Sequence, residues 1–392
     1  MFIELHILQN FAPSNLNRDD TGNPKDTEFG GVRRARISSQ AIKRAMRKHD
    51  VFKNTVKTDI GFRTRYLTRK LNGLLEKSNK PAEESAAITR AIAALFTSKK
   101  GKMDSDDPNR TLVPVYLTNS DAEWLKAEIV GKWSDLLEAS KVQIADEEDE
   151  SEETDKKKKK KKASIPPALK DIVDGLIDRT SKQAGAPDIA LFGRMLADRP
   201  DTNVDAACQV SHAISTHRVN MELDYFTAVD DLQKDEETGA AMIGVTAFNS
   251  ACFYRYARID WGLLVKNLGD DKELARKTVE GFLRAAALAI PSGKQNSFAA
   301  QNPPDFMLGV VRKDGQSWSL ANAFETPVKP GRDGGLMSAS IQKLDEYWAK
   351  LNKAYGGNGM TTAALSLDVP PANLPTEENM ESWLKKLLGS LE

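Results

Sequence analysis

Residues 30–48 read GGVRRARISSQAIKRAMRK. The stretch begins as a short strand over 32–37 and turns into a helix at a serine pair. Ser38 or Ser39 serves as N-cap, because a hydroxyl there accepts from an N–H that the first helical turn leaves without a partner. The helix runs to about His49, with Ile42, Ala45, Met46 and His49 at the spacing of a core-facing stripe. Seven basic residues and no acid lie between Arg33 and Lys48, although the whole chain balances 56 Lys and Arg against 56 Asp and Glu. Local positive charge in a neutral chain points to a local anionic partner rather than a generally adhesive surface.

Outward from this stretch, residues 2–8 alternate, with Ile3, Leu5 and Ile7 on one side. They predict a half-buried strand. Residues 13–31 are rich in Pro, Asn, Asp and Gly and predict a long loop. Helices dominate 55–140 and return over 165–195. Residues 146–162 carry eight acids and then seven lysines with no apolar residue, which predicts a disordered charged insertion. Strand character reappears in GVTAFNSACFYRYARIDW and at 305–312, and two helices close the chain near 338–355 and 376–391. Strands at both ends with helices between them indicate an α+β core interrupted by a helical insertion. Two cysteines provide no disulfide framework, no apolar run has membrane-spanning length, and MFIELHIL lacks the marks of a signal peptide. A soluble, cytoplasmic chain with no membrane partner is expected.

The chemistry centres on the helix after Ser38. Gln40, Lys43, Arg44 and Arg47 share the face opposite Ile42 and Met46, and Lys43 stands one turn below Arg47. Ser38 and Ser39 add hydroxyls and N-terminal amides, which attract phosphate; Arg33, Arg34 and Arg36 approach from the preceding strand. Contacts of this type hold a nucleic acid without reading its sequence. A merely basic solvent face is the plainer alternative, but the acids that normally intersperse such faces are missing. Tyr225, Phe226 and Val229, at adjacent and i+3/i+4 spacing in a polar segment, add the apolar surface that single-strand binding combines with a positive track.

The stretches PSNLNRDDTGNPKDTEFGGVRRARISSQAIKRAMRK, DIALFGRMLAD, THRVNMELDYFTAVDDLQKDEETGA, FYRYARID, ANAFE and YGGNGM resemble the type I-E CRISPR Cascade backbone subunit, the CasC family of the RAMP superfamily. The likeness covers nearly the whole chain; the 146–162 insertion is its main departure. It implies an RNA-recognition-motif-like (ferredoxin-like) palm at 1–58 and 246–392, a helical fingers domain at 59–195 and a thumb β-hairpin at 196–245. It also implies CRISPR RNA, target DNA, further copies of the chain and other Cascade subunits as partners, and no cofactor. Carried over residue by residue, Arg18 and Lys25 contact the RNA backbone, and Ser38, Gln40, Lys43, Arg44 and Arg47 grip phosphates. Arg194 and Met195 lie near the kinked nucleotide, and Tyr225, Phe226 and Val229 form the thumb wedge, with Tyr225 where the family commonly has Trp.

Catalytic readings are weaker. Asp19, Asp20, Asp26 and Glu28 offer carboxylates for magnesium, and backbone subunits of related type III complexes cut target RNA with a loop aspartate. A metal-dependent RNA endonuclease is therefore the alternative. Each aspartate neighbours a basic residue, however, and loop-shaping ion pairs are the simpler role. Cys208 and His212, i and i+4 on an expected helix, form with His217 and Cys252 a set that matches no zinc module. GGNG at 356–359 lacks the lysine of a phosphate-binding loop. A duplex-DNA regulator would need a second helix and turn beside the basic helix, which the sequence does not supply.

Overall fold

Strand β1 (Phe2–Ser14) runs through the middle of a nine-stranded antiparallel sheet. The computed structural model describes residues 1–98, 101–141, 165–182, 185–228, 242–331, 335–356 and 359–391, so the charged tract and Val229 lie outside the described residues. The chain divides into two compact units, one of Met1–Val56, Cys208–Gly262 and Glu273–Glu392, the other of Lys57–Ala207 and Leu263–Lys272.

The further strands are β2 (Asp26–Phe29), β3 (Val32–Ile37), β4 (Phe62–Thr64), β5 (Val115–Leu117), β6 (Cys208–Val210) and β7 (Ala213–Ser215). They are followed by β8 (Glu222–Ala228), β9 (Met242–Asp260), β10 (Phe306–Arg312) and β11 (Met360–Ser366). The sheet is ordered β11-β10-β1-β9-β7-β3-β2, with β6 and β8 also on β9, while β4 and β5 make a separate ribbon in the second unit. Helices α1 (Ser39–Lys48) and α2 (Asp50–Val56) end the first segment. The second unit holds α3 (Leu67–Glu76), α4 (Ala82–Thr97), α5 (Asn119–Gly131), α6 (133–141), α7 (Pro167–Lys182) and α8 (Pro187–Phe192). After α9 (Trp261–Asn267) come α10 (Lys272–Leu288), α11 (Gln295–Phe298), α12 (Met337–Tyr355) and α13 (Met380–Leu388). No helix among the described residues is long and apolar enough to cross a membrane.

β1 departs from the half-buried strand that its alternation predicts: both faces are covered. Leu5 and Ile7 pack with Ile42 and Met46 of α1 and Phe282 and Ala286 of α10. On the same side, Leu387 of α13 presses on Gly309 of β10. On the opposite face, Leu8, Tyr254, Phe306, Leu308 and Val310 pack with Leu320, Phe324, Ile341, Leu344 and Trp348. Each such side chain contributes about 1.5–3 kcal/mol on burial. The polar half of the alternation is therefore buried too, and it is internally partnered. Glu4 accepts from Arg312 Nε and the Trp318 N–H, both at 2.8 Å, and His6 Nδ1 is hydrogen-bonded to Tyr254 Oη at 2.9 Å.

His6 gives the fold an acid sensitivity of defined sign. Burial, with Arg312 adding like charge, pushes its pKa down to about 3. The folded state thus binds its proton less readily than the unfolded chain, whose histidine titrates near about 6.5. Stability present above that value falls as pH drops towards about 3. The unfolding free energy in urea is expected to fall by about 2 kcal/mol between pH 7 and pH 5 through this residue. Glu4, raised by its own burial, contributes with the opposite sign. The difference between wild type and His6→Gln isolates the histidine, and an unchanged difference at the two pH values would refute the assignment.

The second unit is helical for the reason its sequence indicates. Leu67, Leu71 and Leu75 of α3 meet Ile88, Ile92 and Phe96 of α4, Leu125 and Ile129 of α5, and Ile172 and Leu176 of α7. Thr118 and Asp121 form a reciprocal capping box that starts α5. One expectation fails: Cys208 lies in β6 and His212 in the loop after it, so they are not one helical turn apart. The two strands there, β6 and β7, are only three residues each, too short for their alternation to stand out in the sequence.

Candidate nucleic-acid interface

α1 takes its orientation from two buried anchors, Ile42 and Met46, one turn apart. Their burial leaves Gln40, Lys43, Arg44 and Arg47 as an i, i+3, i+4, i+7 stripe, with Gln40 and Arg44 exposed and Lys43 and Arg47 half-buried. Ser38 is the N-cap, its Oγ accepting from Ala41 N–H at 3.3 Å. No acid occupies the first turn, and Arg47 and Lys48 in the last turn complement the helix dipole.

The loop ahead of the helix is ordered around Asn17. Its Oδ1 accepts from Ser38 N–H at 2.8 Å and its backbone carbonyl from Lys25 N–H at 2.8 Å. The Lys25 carbonyl in turn accepts from Arg36 N–H at 2.9 Å. Arg18 bridges Pro24 across the loop, and Asp19 Oδ1 accepts from Thr21 N–H, Thr21 Oγ1 and Asn23 N–H. These bonds, with the Thr21 hydroxyl foremost, hold the Asp19 carboxyl below its usual pKa. Arg18, exposed, and Lys25, half-buried, are thereby fixed on the segment that ties to the helix start. An open groove follows the loop, lined by Leu16, Asn17, Arg18, Asp19, Asp20, Gly22 and Gly293. Gly293 is required there: a Cβ would stand 2.3 Å from the Leu16 carbonyl oxygen.

Three expectations about this region need correcting. Arg34 does not join the row. It is fully buried, and its guanidinium donates to the carbonyls of Phe29, Ser215, Phe324 and Glu325. The amides at the helix start are not idle: those of Ser38, Ser39 and Ala41 donate to Asn17 Oδ1, His212 Nδ1 and Ser38 Oγ. The loop carboxylates pair differently from their sequence neighbours, since Asp26 binds Arg33 across the β2–β3 hairpin and Asp19 closes a turn.

Tyr225 and Phe226 lie on a projecting ribbon. β8 pairs with residues 242–248 of β9, and all seven β8 residues are exposed. Tyr225, 71% exposed, stands opposite Val245, and Phe226, 42% exposed, opposite Gly244. Adjacent strand residues face opposite ways, so the two rings serve opposite faces of the ribbon. The Phe226 ring lies over Gly244, where a Cβ would meet it at 2.3 Å. Val229 lies outside the described residues.

Arg194 and Met195 belong to the second unit. Arg194 is corrected from an RNA contact to an internal brace. It is 4% exposed and donates to the carbonyls of Thr202, Tyr116 and Thr180, so its guanidinium is directed at buried backbone. Met195 is 82% exposed. Sequence reasoning missed Asn17 as the hub of the loop, and it weighed His212 only as a metal ligand. Their signal was position alone, one in a turn-rich run and the other at a strand end. Among the described residues no group of three or more His, Cys, Asp and Glu is placed to hold a metal ion; Cys208 and Cys252 are buried thiols that burial pushes up to about 12 and about 11.

The chain is similar over its whole length to a chain of a "CRISPR RNA-guided surveillance complex, pre-nicking", with a TM-score of 0.79 and 30% identity, all of both chains being covered. A chain of another "CRISPR RNA-guided surveillance complex" aligns with a TM-score of 0.72 and 25% identity, again over all of both. A comparison with curated proteins returns no match. The family model of CT1975-like proteins matches residues 3–388. A match of that extent, on a chain whose N-terminal signature already resembles the Cascade backbone, shows that this protein belongs to the CT1975-like family of Cascade backbone subunits.

Proposed function

We propose that this chain is a noncatalytic CRISPR RNA-binding backbone subunit of a cytoplasmic type I-E Cascade surveillance complex. Copies line up along the guide, kink it at intervals and leave its bases outward for pairing with target DNA, beside other Cascade subunits. In this reading residues 1–58 and 246–392 are an RNA-recognition-motif-like palm, 59–195 the helical fingers, and 196–245, which carries β8, the thumb. Arg18, Lys25, Ser38, Gln40, Lys43, Arg44 and Arg47 hold the sugar–phosphate chain, while Tyr225, Phe226, Val229 and Met195 press on bases beside the kink.

One observation carries the reading. The Gln40, Lys43, Arg44 and Arg47 stripe is held outward by buried Ile42 and Met46, and an ordered loop ties Arg18 and Lys25 to its start. Donors of this kind bind phosphate and leave base edges unread, which is what a guide awaiting its complement needs. The exposed apolar ribbon supports the wedge, because such surface on an isolated two-stranded hairpin calls for a partner. Loop carboxylates engaged in turn and ion-pair bonds favour binding over cleavage.

The purified chain is expected to bind single-stranded RNAs of unrelated sequence alike, more tightly than duplex DNA, and to leave them uncut in magnesium. Preference for duplex DNA would defeat the reading. Magnesium-dependent cutting that disappears in Asp26→Ala, with binding retained, would establish the endonuclease instead.

A further inference from the structure

We propose that His212 is a further phosphate-holding residue of this row, its imidazole fixed by the Ser39 amide so that Nε2–H donates to the RNA backbone. The inference rests on the RNA-binding reading above. The loop that carries His212 is placed by the sheet, not by the helix. Ser211 donates through both N–H and Oγ to the Tyr256 carbonyl, at 2.9 and 3.2 Å, and Ala213 pairs with Ile37 at the end of β3. This sets the ring at the first turn of α1, where Ser39 N–H donates to Nδ1 at 3.1 Å. A neutral imidazole has one accepting and one donating nitrogen, so engagement of Nδ1 puts the proton on Nε2.

The surroundings suit a phosphate. Arg36 and Lys25 are charged groups that bear on the ring, and the side chain is exposed. Partial burial and then those two cations lower its pKa, so the neutral, donating form prevails at neutral pH. Lys25 and the Arg36 strand are tied to Ser38 through Asn17, which places His212 within the same hydrogen-bonded frame as the row.

Two substitutions in the full chain separate RNA holding from helix capping. Asparagine can accept from Ser39 N–H where Nδ1 stood but has nothing at the Nε2 position. Glutamine puts an amide near Nε2 and loses the acceptor. His212→Asn is expected to melt as wild type and to bind single-stranded RNA about fivefold more weakly, the worth of one net hydrogen bond. A neutral donor displaces no counterion, so the salt dependence should keep its slope. His212→Gln should bind within about twofold of wild type while melting lower. Wild-type affinity in His212→Asn would make the residue a cap alone and overturn the inference with the RNA reading intact. Should His212→Asn not fold, weak binding by a folded His212→Gln would overturn it equally. Failure of the wild type to bind RNA would overturn both.

Discussion

Replacing Lys43 and Arg47 together by alanine is expected to cut single-stranded RNA affinity by about 100-fold near 0.1 M salt, whatever the RNA sequence. Each removed cation gives up one phosphate and the counterion its neutralisation releases. The slope of log affinity against log salt should therefore fall by about 1.4, at about 0.7 per phosphate on a single strand. The helix itself should survive. Alanine is the best helix former, and the anchors Ile42 and Met46, 4% and 2% exposed, are untouched. Filter binding or fluorescence anisotropy at four salt concentrations measures both quantities. A loss confined to particular sequences, or a slope that does not move, would show that the stripe is not what grips the strand.

Arg34→Leu is expected to lower the unfolding free energy by about 3–5 kcal/mol, against a total of about 5–15 kcal/mol for a typical domain. Arg34 is 0% exposed; its guanidinium lies over the Phe29 ring and donates to four backbone carbonyls. Its Nε donates to Phe29 at 3.1 Å, Nη1 to Ser215 at 3.1 Å, and Nη2 to Phe324 at 2.7 Å and Glu325 at 3.1 Å. The fork thus closes the β2–β3 hairpin onto β7 and the segment that follows Leu320. Leucine fills much of the volume and strands four carbonyls. Lysine, a single point charge, satisfies only part of the set and should fall between. The hairpin turn is locked at the same place: Gly30 and Gly31 have φ of +61° and +70°, and a Cβ on Gly30 would lie 1.8 Å from the Glu325 oxygen. Urea midpoints measure the effect, and a loss below about 1 kcal/mol would refute the clasp.

The two arginines show where sequence stops being informative. Arg33 and Arg34 are neighbours of one type, yet the first is exposed on Asp26 and the second is among the most buried side chains in the molecule. A strand sends them to opposite faces, and only the tertiary cover, supplied from nearly three hundred residues away at Phe324, decides which face is dry. Arg194, expected beside the nucleotide, misleads for the same reason, since the carbonyls that hold it, from Tyr116, Thr180 and Thr202, come from separate segments. α1 was legible because everything that makes it lies within a dozen residues: the Ser38 cap, the Ile42–Met46 anchors and the basic stripe. β10 and α12 were legible from runs of apolar residues and helical period. β11 was not, because MTTAALS is short and weakly apolar and becomes a strand only by pairing with β10. β4 and β5, three residues each, carry too little pattern to register at all.

β9 is a cantilever. Its 19 residues, about 60 Å long at strand rise, pair with β1 from Asn249 to Asp260 and with β8 from Met242 to Phe248. The base of the overhang is held where Asn15 Nδ2 donates to the Ala247 carbonyl at 2.9 Å and the Phe248 ring meets Phe298, so the aim of the arm is inherited from the root clamped in the sheet. Alternation along one uninterrupted strand fixes the phase: adding or deleting a single residue near Asn249 would roll the arm over and exchange the side that shows Tyr225 for the side that shows Phe226. A change of length at the root therefore cannot be absorbed without turning the arm.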